Sequence, residues 1–184
     1  MKTQKLGNIT KGFTLIELLV VIAILGVLAA ALIAAINPIE QIRKSQDSSK
    51  QSIATEFNSA VQRYYTTHSV LPWDPNAVNP ATGVTGACAA VTNGTAYQLS
   101  GAQMQACIGY LTGDGELKAS FTSAPATIQQ AIYVTGDTAT GTVYSCFIPA
   151  SNSQQTSSNT IYSQTGGAGV GCGKNTSACY WCSK

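Results

Sequence analysis

The strongest constraint on this chain is an apolar run from Phe13 to Ile36 that contains a single charged residue, Glu17. The part from Leu15 onward would form a helix of roughly 33 Å, which is enough to cross the hydrocarbon layer of a membrane. An ionised carboxylate inside hydrocarbon is energetically costly, and such residues are usually functional. The sequence therefore predicts a membrane-spanning helix with a specific role for Glu17.

A short basic segment precedes the apolar run. Residues 1–12 contain no acid and end at the junction between Gly12 and Phe13. Their three cations are Lys2, Lys5 and Lys11. Because Lys and Arg concentrate on the cytoplasmic side of a single span, the segment predicts an N-terminus inside and the rest outside. Arg43 and Lys44 on the far side of the run weaken this asymmetry.

Two other kinds of segment share part of this pattern. A secretory signal peptide has an apolar core of about 7–15 residues that ends at a small-residue site. The alanines at 29–31 or 34–35 can supply such a site. The length of the run and the internal carboxylate argue against this reading. A cleaved signal peptide and a plain uncleaved anchor nevertheless stay open as alternatives.

The basic leader, the Gly12-Phe13 junction and Glu17 together resemble the processing motif of type IV prepilins. In that family a membrane peptidase cleaves after the Gly, and the new N-terminal residue is methylated. The Glu then guides assembly through the N-terminal amine of a neighbouring subunit. The resemblance implies that Gly12 is the cleavage residue, Phe13 the methylated N-terminus and Glu17 the assembly carboxylate.

The resemblance also implies a pilin fold of the α+β class, in which a small antiparallel β-sheet head packs on the second half of a long N-terminal helix. We expect a leader peptide over 1–12, a spine helix over 13–66 and a disulfide-stapled globular head over 67–184. The transmembrane part of the spine is 13–36. A kink is expected near Pro38, because proline lacks the N–H that a helix interior needs.

Apolar residues recur at helical spacing in the second half of the spine, which predicts that the head covers this part. They are Ile53, Phe57, Val61 and Tyr64. Residues 39–50 are predicted to be helical and mostly exposed.

In the head, Thr142–Ile148 alternates like a strand, Ala131–Thr135 is its expected antiparallel partner, and Asn159–Gln164 is expected to form a third strand. Residues 102–111 show helix-like spacing.

The six cysteines all lie beyond the apolar run, which favours an oxidising compartment and up to three disulfides. They are Cys88, Cys107, Cys146, Cys172, Cys179 and Cys182. The sequence does not choose among their possible pairings. We favour Cys88 with Cys107, and expect the other four to tie the C-terminal segment to the predicted hairpin.

Other motifs point only weakly to chemistry. Cys179 and Cys182 have the spacing of a redox pair or of half a zinc site, but disulfide bonding explains them better. His68 is predicted to lie at a helix end, and a solvated position that suits the helix dipole explains it better than a role as general base. Asp114 and Glu116 together supply fewer oxygen ligands than a calcium site needs. We therefore predict no catalytic residue, no metal and no cofactor.

The resemblance to type IV prepilins implies a non-enzymatic structural subunit of a type IV pilus-like extracellular filament. The partners that the resemblance implies are copies of the chain in a helical filament, the prepilin peptidase, the pilus assembly platform and the inner membrane before assembly. Removal of three leader lysines from ten basic residues leaves seven against eight acidic ones, so no specific nucleic acid is predicted.

The alternative function is that of a pseudopilin in a type II secretion or DNA-uptake apparatus. Major secretion pseudopilins carry acidic calcium ligands in their C-terminal loops, and residues 138–184 contain no Asp or Glu. This disfavours that subgroup without separating the remaining pseudopilins from pilins. Adhesion and motility are both outcomes of such fibres, and the sequence does not select between them.

Overall fold

A computed structural model describes residues 12–79, 82–83, 85–86, 88, 94–137, 139–160, 162–166 and 179–183. The chain divides into two compact units, Met1–Ile39 and Glu40–Lys184. The helices are α1 (Leu15–Ala35), α2 (Pro38–His68), α3 (Ala102–Gly113), α4 (Ala126–Gln130) and α5 (Asn152–Gln155), with a 3-10 helix at Ala119–Ser123. The strands are β1 (Tyr97–Gln98), β2 (Ile132–Asp137), β3 (Thr142–Phe147) and β4 (Trp181–Ser183).

In the first unit, α1 is apolar around its whole circumference. Its 21 residues are all exposed in the isolated chain, and they are long and apolar enough as a helix to cross a membrane. A helix without a polar face has no side that suits water. Its backbone hydrogen bonds are internal, so it is suited to lipid or to contact with other apolar helices.

The helical path is interrupted at residues 36–37. Ile36 has an extended backbone conformation with φ −100° and ψ 128°, and it ends α1. Pro38 is the first residue of α2. The missing N–H costs nothing there, because the first N–H groups of a helix have no intrahelical acceptor. Pro38 therefore begins a second helix and does not distort the interior of one.

In the second unit, α2 packs one face against the sheet and α3. The buried residues of α2 in this core are Ala54, Phe57, Ala60, Val61 and Tyr64. Those of the strands are Ile132, Val134, Val143 and Phe147, and those of α3 are Met104, Cys107, Ile108 and Leu111. The predicted α+β architecture, with a helix covered by a small antiparallel sheet, is confirmed.

The four strands are antiparallel and lie in the order β1-β2-β3-β4. β2 and β3 form the predicted hairpin, with Thr135 opposite Tyr144. The prediction of a third strand at Asn159–Gln164 is wrong. Tyr162 forms only an isolated bridge with Tyr180, and the edge of β3 is occupied by β4. Which segment pairs with the edge of β3 depends on contacts between distant residues. The local sequence pattern at Asn159–Gln164 does not show these contacts.

Disulfides link separate segments of the head. Cys88 is bonded to Cys107, and Cys146 on β3 is bonded to Cys182 on β4. Cys179 is also disulfide-bonded, and Cys172 lies outside the described residues. Because β4 has only three residues, the Cys146–Cys182 bond supplies much of its attachment.

A close packing contact in the head gives a direct test of the fold. The backbone of Gly136 on β2 lies against buried Trp73, and a Cβ added there would come within 2.2 Å of the ring atom Cζ2. Gly136→Ala is therefore expected to lower the free energy of unfolding by roughly 1–3 kcal/mol through overpacking. Urea denaturation followed by tryptophan fluorescence measures the change, since both tryptophans, Trp73 and Trp181, lie in the head.

The matched control for this substitution is Gly109→Ala on α3. A Cβ added at Gly109 meets nothing within 4 Å. Alanine is the better helix former, so this control is expected to be neutral or to stabilise the head by up to about 1 kcal/mol. Equal denaturation midpoints for Gly136→Ala and Gly109→Ala would contradict the packing of Trp73 on β2.

Candidate functional site

The candidate site begins at the N-terminus of α1, where Thr14 and Glu17 form a reciprocal capping box. The backbone N–H of Thr14 donates to Glu17 Oε2 at 2.8 Å, and the Thr14 hydroxyl donates to the same oxygen at 2.6 Å. In return, the backbone N–H of Glu17 donates to Thr14 Oγ1 at 3.3 Å. The Thr-x-x-Glu spacing of this motif is visible in the sequence, and our sequence analysis overlooked it.

The capping box fixes where the carboxylate points. It folds the side chain back over the first turn, where the positive end of the helix dipole favours negative charge. Within the part of the chain that the structure describes, Glu17 Oε1 receives no hydrogen bond. A carboxylate has about four acceptor positions, so Glu17 retains the capacity to bind a donor from outside the helix.

Gly12 and Phe13 lie beside this carboxylate in sequence and are both exposed. Phe13 immediately precedes Thr14, whose N–H already contacts Glu17. A Cβ added to Gly12 would meet nothing within 4 Å. The three residues singled out in the sequence therefore lie together at one accessible end of the apolar helix.

A second carboxylate, Asp47 on α2, was missed by the sequence analysis. Residues 39–50 are mostly exposed as predicted, but Asp47 is fully buried. It accepts hydrogen bonds from the backbone N–H groups of Ala150, at 3.0 Å, and Ser151, at 2.7 Å, and from the Ser151 hydroxyl at 2.7 Å. Lys50 Nζ lies 3.3 Å from its Oδ1. Asp47 therefore anchors the segment after β3 to α2.

The Asp114 and Glu116 carboxylates contact His68 and Arg63 near the end of α2. Arg63 Nε lies 2.9 Å from Glu116 Oε2, and Arg63 Nη2 donates to the backbone carbonyl of Glu116. His68 Nε2 lies 3.7 Å from Asp114 Oδ1, and its ring stacks on Tyr64. Burial raises the pKa of Tyr64, and the Asp114 charge acts in the same direction. These contacts give Arg63, His68, Asp114 and Glu116 a structural role.

The two cysteines of the C-x-x-C motif are used in disulfides. Cys182 is bonded to Cys146, and Cys179 also takes part in a disulfide. In this arrangement the pair is not a free dithiol. Over the described ranges, no three His, Cys, Asp or Glu side chains come together in a way that would hold a metal ion.

Comparison with known proteins places the N-terminal residues in a known motif. Residues 8–33 match the sequence profile of the prokaryotic N-terminal methylation motif. The chain is 41% identical over 81 residues to the fimbrial protein EcpC of Eikenella corrodens, covering 44% of this chain and 52% of that relative. It is 38% identical over 76 residues to the type IV major pilin protein PilE of Neisseria gonorrhoeae, covering 41% and 44%.

A fimbrial protein of Neisseria meningitidis serogroup B is 38% identical over 77 residues, covering 42% of this chain and 44% of that relative. The chain thus spans about half the length of the curated relatives it matches. No solved structure matches the chain significantly. The chain carries the prokaryotic N-terminal methylation motif, and its resemblance to the type IV pilin family is confirmed.

Proposed function

We propose that the chain is a non-enzymatic structural subunit of a type IV pilus-like extracellular filament. The observation that carries this proposal is α1, whose 21 residues expose apolar side chains in every direction and include one carboxylate in the first turn. Such a helix suits a bilayer and a bundle of like helices equally well, since its backbone polar groups are satisfied internally. The same segment can therefore anchor the subunit before assembly and form the fibre core afterwards.

Cleavage after Gly12 by a prepilin peptidase would convert the membrane-anchored precursor into a subunit that can assemble. It removes three lysines and creates an amine at Phe13, which is then methylated. In the filament this amine of one subunit pairs with Glu17 of another copy. Glu17 Oε2 already accepts hydrogen bonds from Thr14, which supports Oε1 as the oxygen that accepts a hydrogen bond from that amine. Subunits reach the growing fibre through the pilus assembly platform.

The location of the subunit follows from the same features. Before assembly it is a single-pass protein of the cytoplasmic membrane, with its basic N-terminus inside. The head lies outside, where the Cys88–Cys107 and Cys146–Cys182 disulfides suit an oxidising compartment. After assembly the head forms the surface of an extracellular filament.

A pseudopilin of a type II secretion or DNA-uptake apparatus is the alternative, and it is not favoured. The relatives that match are named as major pilins and fimbrial proteins. Mechanical shearing of intact cells tests the choice. A pilus subunit is expected in the sheared fibre fraction, whereas confinement of the protein to the cell envelope would contradict the proposal.

Substitution of Gly12 tests the cleavage position. Gly12→Leu is expected to reduce the yield of processed subunit by roughly tenfold or more, because a bulky side chain keeps the peptide backbone out of the peptidase site. Among the described residues, a Cβ added at Gly12 meets no atom within 4 Å, so the effect is expected at the peptidase and not in the fold. Immunoblotting of membranes for precursor and processed forms measures the result.

The matched control is Gly26→Ala in the middle of α1, where an added Cβ also meets nothing within 4 Å. This variant is expected to be processed like the wild type. Normal processing of Gly12→Leu would show that the cleavage junction has been placed at the wrong residue.

A further inference from the structure

Two exposed cations, Arg43 and Lys44, lie on the first turns of α2. Arg43 and Lys44 follow the apolar helix on its non-leader side and weaken the charge asymmetry of the span. Both side chains are exposed. Among the residues that the structure describes, neither forms an ion pair.

Two acids on α2 lie at the spacing that favours ion pairs with these cations, yet neither cation is paired with them. Glu40 precedes Lys44 by four residues, and Asp47 follows Arg43 by four, a separation at which helix side chains of opposite charge attract. The structure uses both acids elsewhere. Glu40 Oε1 accepts a hydrogen bond from the backbone N–H of Asn152 at 2.8 Å.

Asp47 is directed to the same segment of the head, where it accepts from Ala150 and Ser151, and its cationic neighbour is Lys50. Both carboxylates thus bind the segment that follows β3. Since no described acid pairs with Arg43 or Lys44, their positive charges are available to an anion from outside the chain.

Chain length places that anion near the membrane surface. From Ala35 to Arg43 the chain comprises the two residues of the break and the first six residues of α2. Whatever the direction of α2, the two Cα atoms are at most about 18 Å apart. The headgroup layer adds roughly 5–8 Å on each side of the hydrocarbon core, and long cationic side chains extend toward it.

We propose that Arg43 and Lys44 bind the phosphate groups of anionic phospholipids on the outer face of the membrane that holds α1. This proposal rests on the proposed function, because it requires α1 to span the bilayer. Guanidinium and ammonium groups both bind phosphate well. The contacts stabilise the anchored subunit and must be broken when it leaves the bilayer for a filament.

The test measures lipid selectivity of the full chain in nanodiscs. Spin-labelled phosphatidylglycerol and phosphatidylcholine report the relative association constant of the two lipids. All proteins carry Gln at the leader lysines, so that the leader contributes no cationic side chain near the membrane. The protein with the wild-type α2 sequence is expected to bind phosphatidylglycerol in preference to phosphatidylcholine. The double variant Arg43→Gln with Lys44→Gln is expected to lower the relative association constant by about fivefold or more. High salt should have the same effect.

Lys118→Gln is the matched control, since it removes an exposed lysine from the head. It should leave the selectivity unchanged, and Arg43→Lys with Lys44→Arg should retain it. An unchanged preference in the Gln double variant would overturn the proposal. If the Gln double variant kept its lipid preference but formed no filaments, the two cations would contact an acid of a second copy and not a lipid. A chain removed from vesicles by an alkaline wash would contradict the membrane span itself.

Discussion

Replacing Asp47 by Ala is expected to lower the free energy of unfolding of the head by roughly 3–5 kcal/mol. The substitution leaves two backbone N–H groups and the Ser151 hydroxyl without their acceptor at a fully buried position. It also removes the partner of Lys50. Each buried donor that loses its acceptor costs its own desolvation penalty, so the effect exceeds that of an ordinary surface substitution.

Urea denaturation monitored by tryptophan fluorescence measures this loss, because Trp73 and Trp181 report only on the head. Glu56→Gln is the control. Glu56 is an exposed acid on the same helix, and its substitution is expected to change the stability by no more than about 0.5 kcal/mol. A midpoint for Asp47→Ala that equals that of Glu56→Gln would show that the segment after β3 is not held by Asp47.

Replacing Glu17 by Ala is expected to reduce the yield of sheared filaments by roughly tenfold or more, the factor that corresponds to losing a charge-assisted hydrogen bond in each subunit. Membrane insertion should persist, because the substitution makes α1 more apolar. Cleavage should also persist, because the Gly12-Phe13 junction is intact. Filament yield, precursor processing and membrane content are measured on the same cells.

Two further variants separate the charge of Glu17 from its capping role. Glu17→Gln retains a side chain that can complete a capping box but carries no charge. Thr14→Val removes the capping hydroxyl and leaves the carboxylate. We expect filaments to be lost in Glu17→Gln and to form in Thr14→Val. The opposite result would mean that the cap, and not the charge, is what assembly requires.

The features that the sequence predicted well are those governed by local pattern. The apolar run from Phe13 to Ile36 has the length and composition of a membrane-spanning helix before any tertiary contact is known. The alternating residues of β3 and its partner β2 identified the central hairpin. The helical spacing of Phe57, Val61 and Tyr64 identified the face of α2 that the head covers.

The features that the sequence analysis missed depend on contacts between distant residues. Asp47 is buried because its partners arrive from Ala150 and Ser151, about a hundred positions later in the chain. A charged residue in an otherwise polar stretch of helix carries no local sign of burial. The strand β4 at Trp181–Ser183 is too short to show alternation, and it takes the edge of β3 through a disulfide and the packing of Trp181 on Phe147.

The capping box of Thr14 and Glu17 is a different kind of omission, because its spacing is local and readable. The position of Glu17 in an apolar run predicted only a partner outside the chain. The structure shows that the same carboxylate also satisfies its own helix terminus.

Mass spectrometry of the N-terminal peptide from sheared surface fibres tests the central claim most directly. That claim is that removal of the leader creates an amine next to an apolar helix, which then becomes the core of a polymer. The predicted result is a peptide that begins at Phe13, carries one methyl group on its amine and retains the apolar helix. A surface protein that begins near Ile36, with the apolar helix removed, would contradict the claim and identify a freely secreted protein.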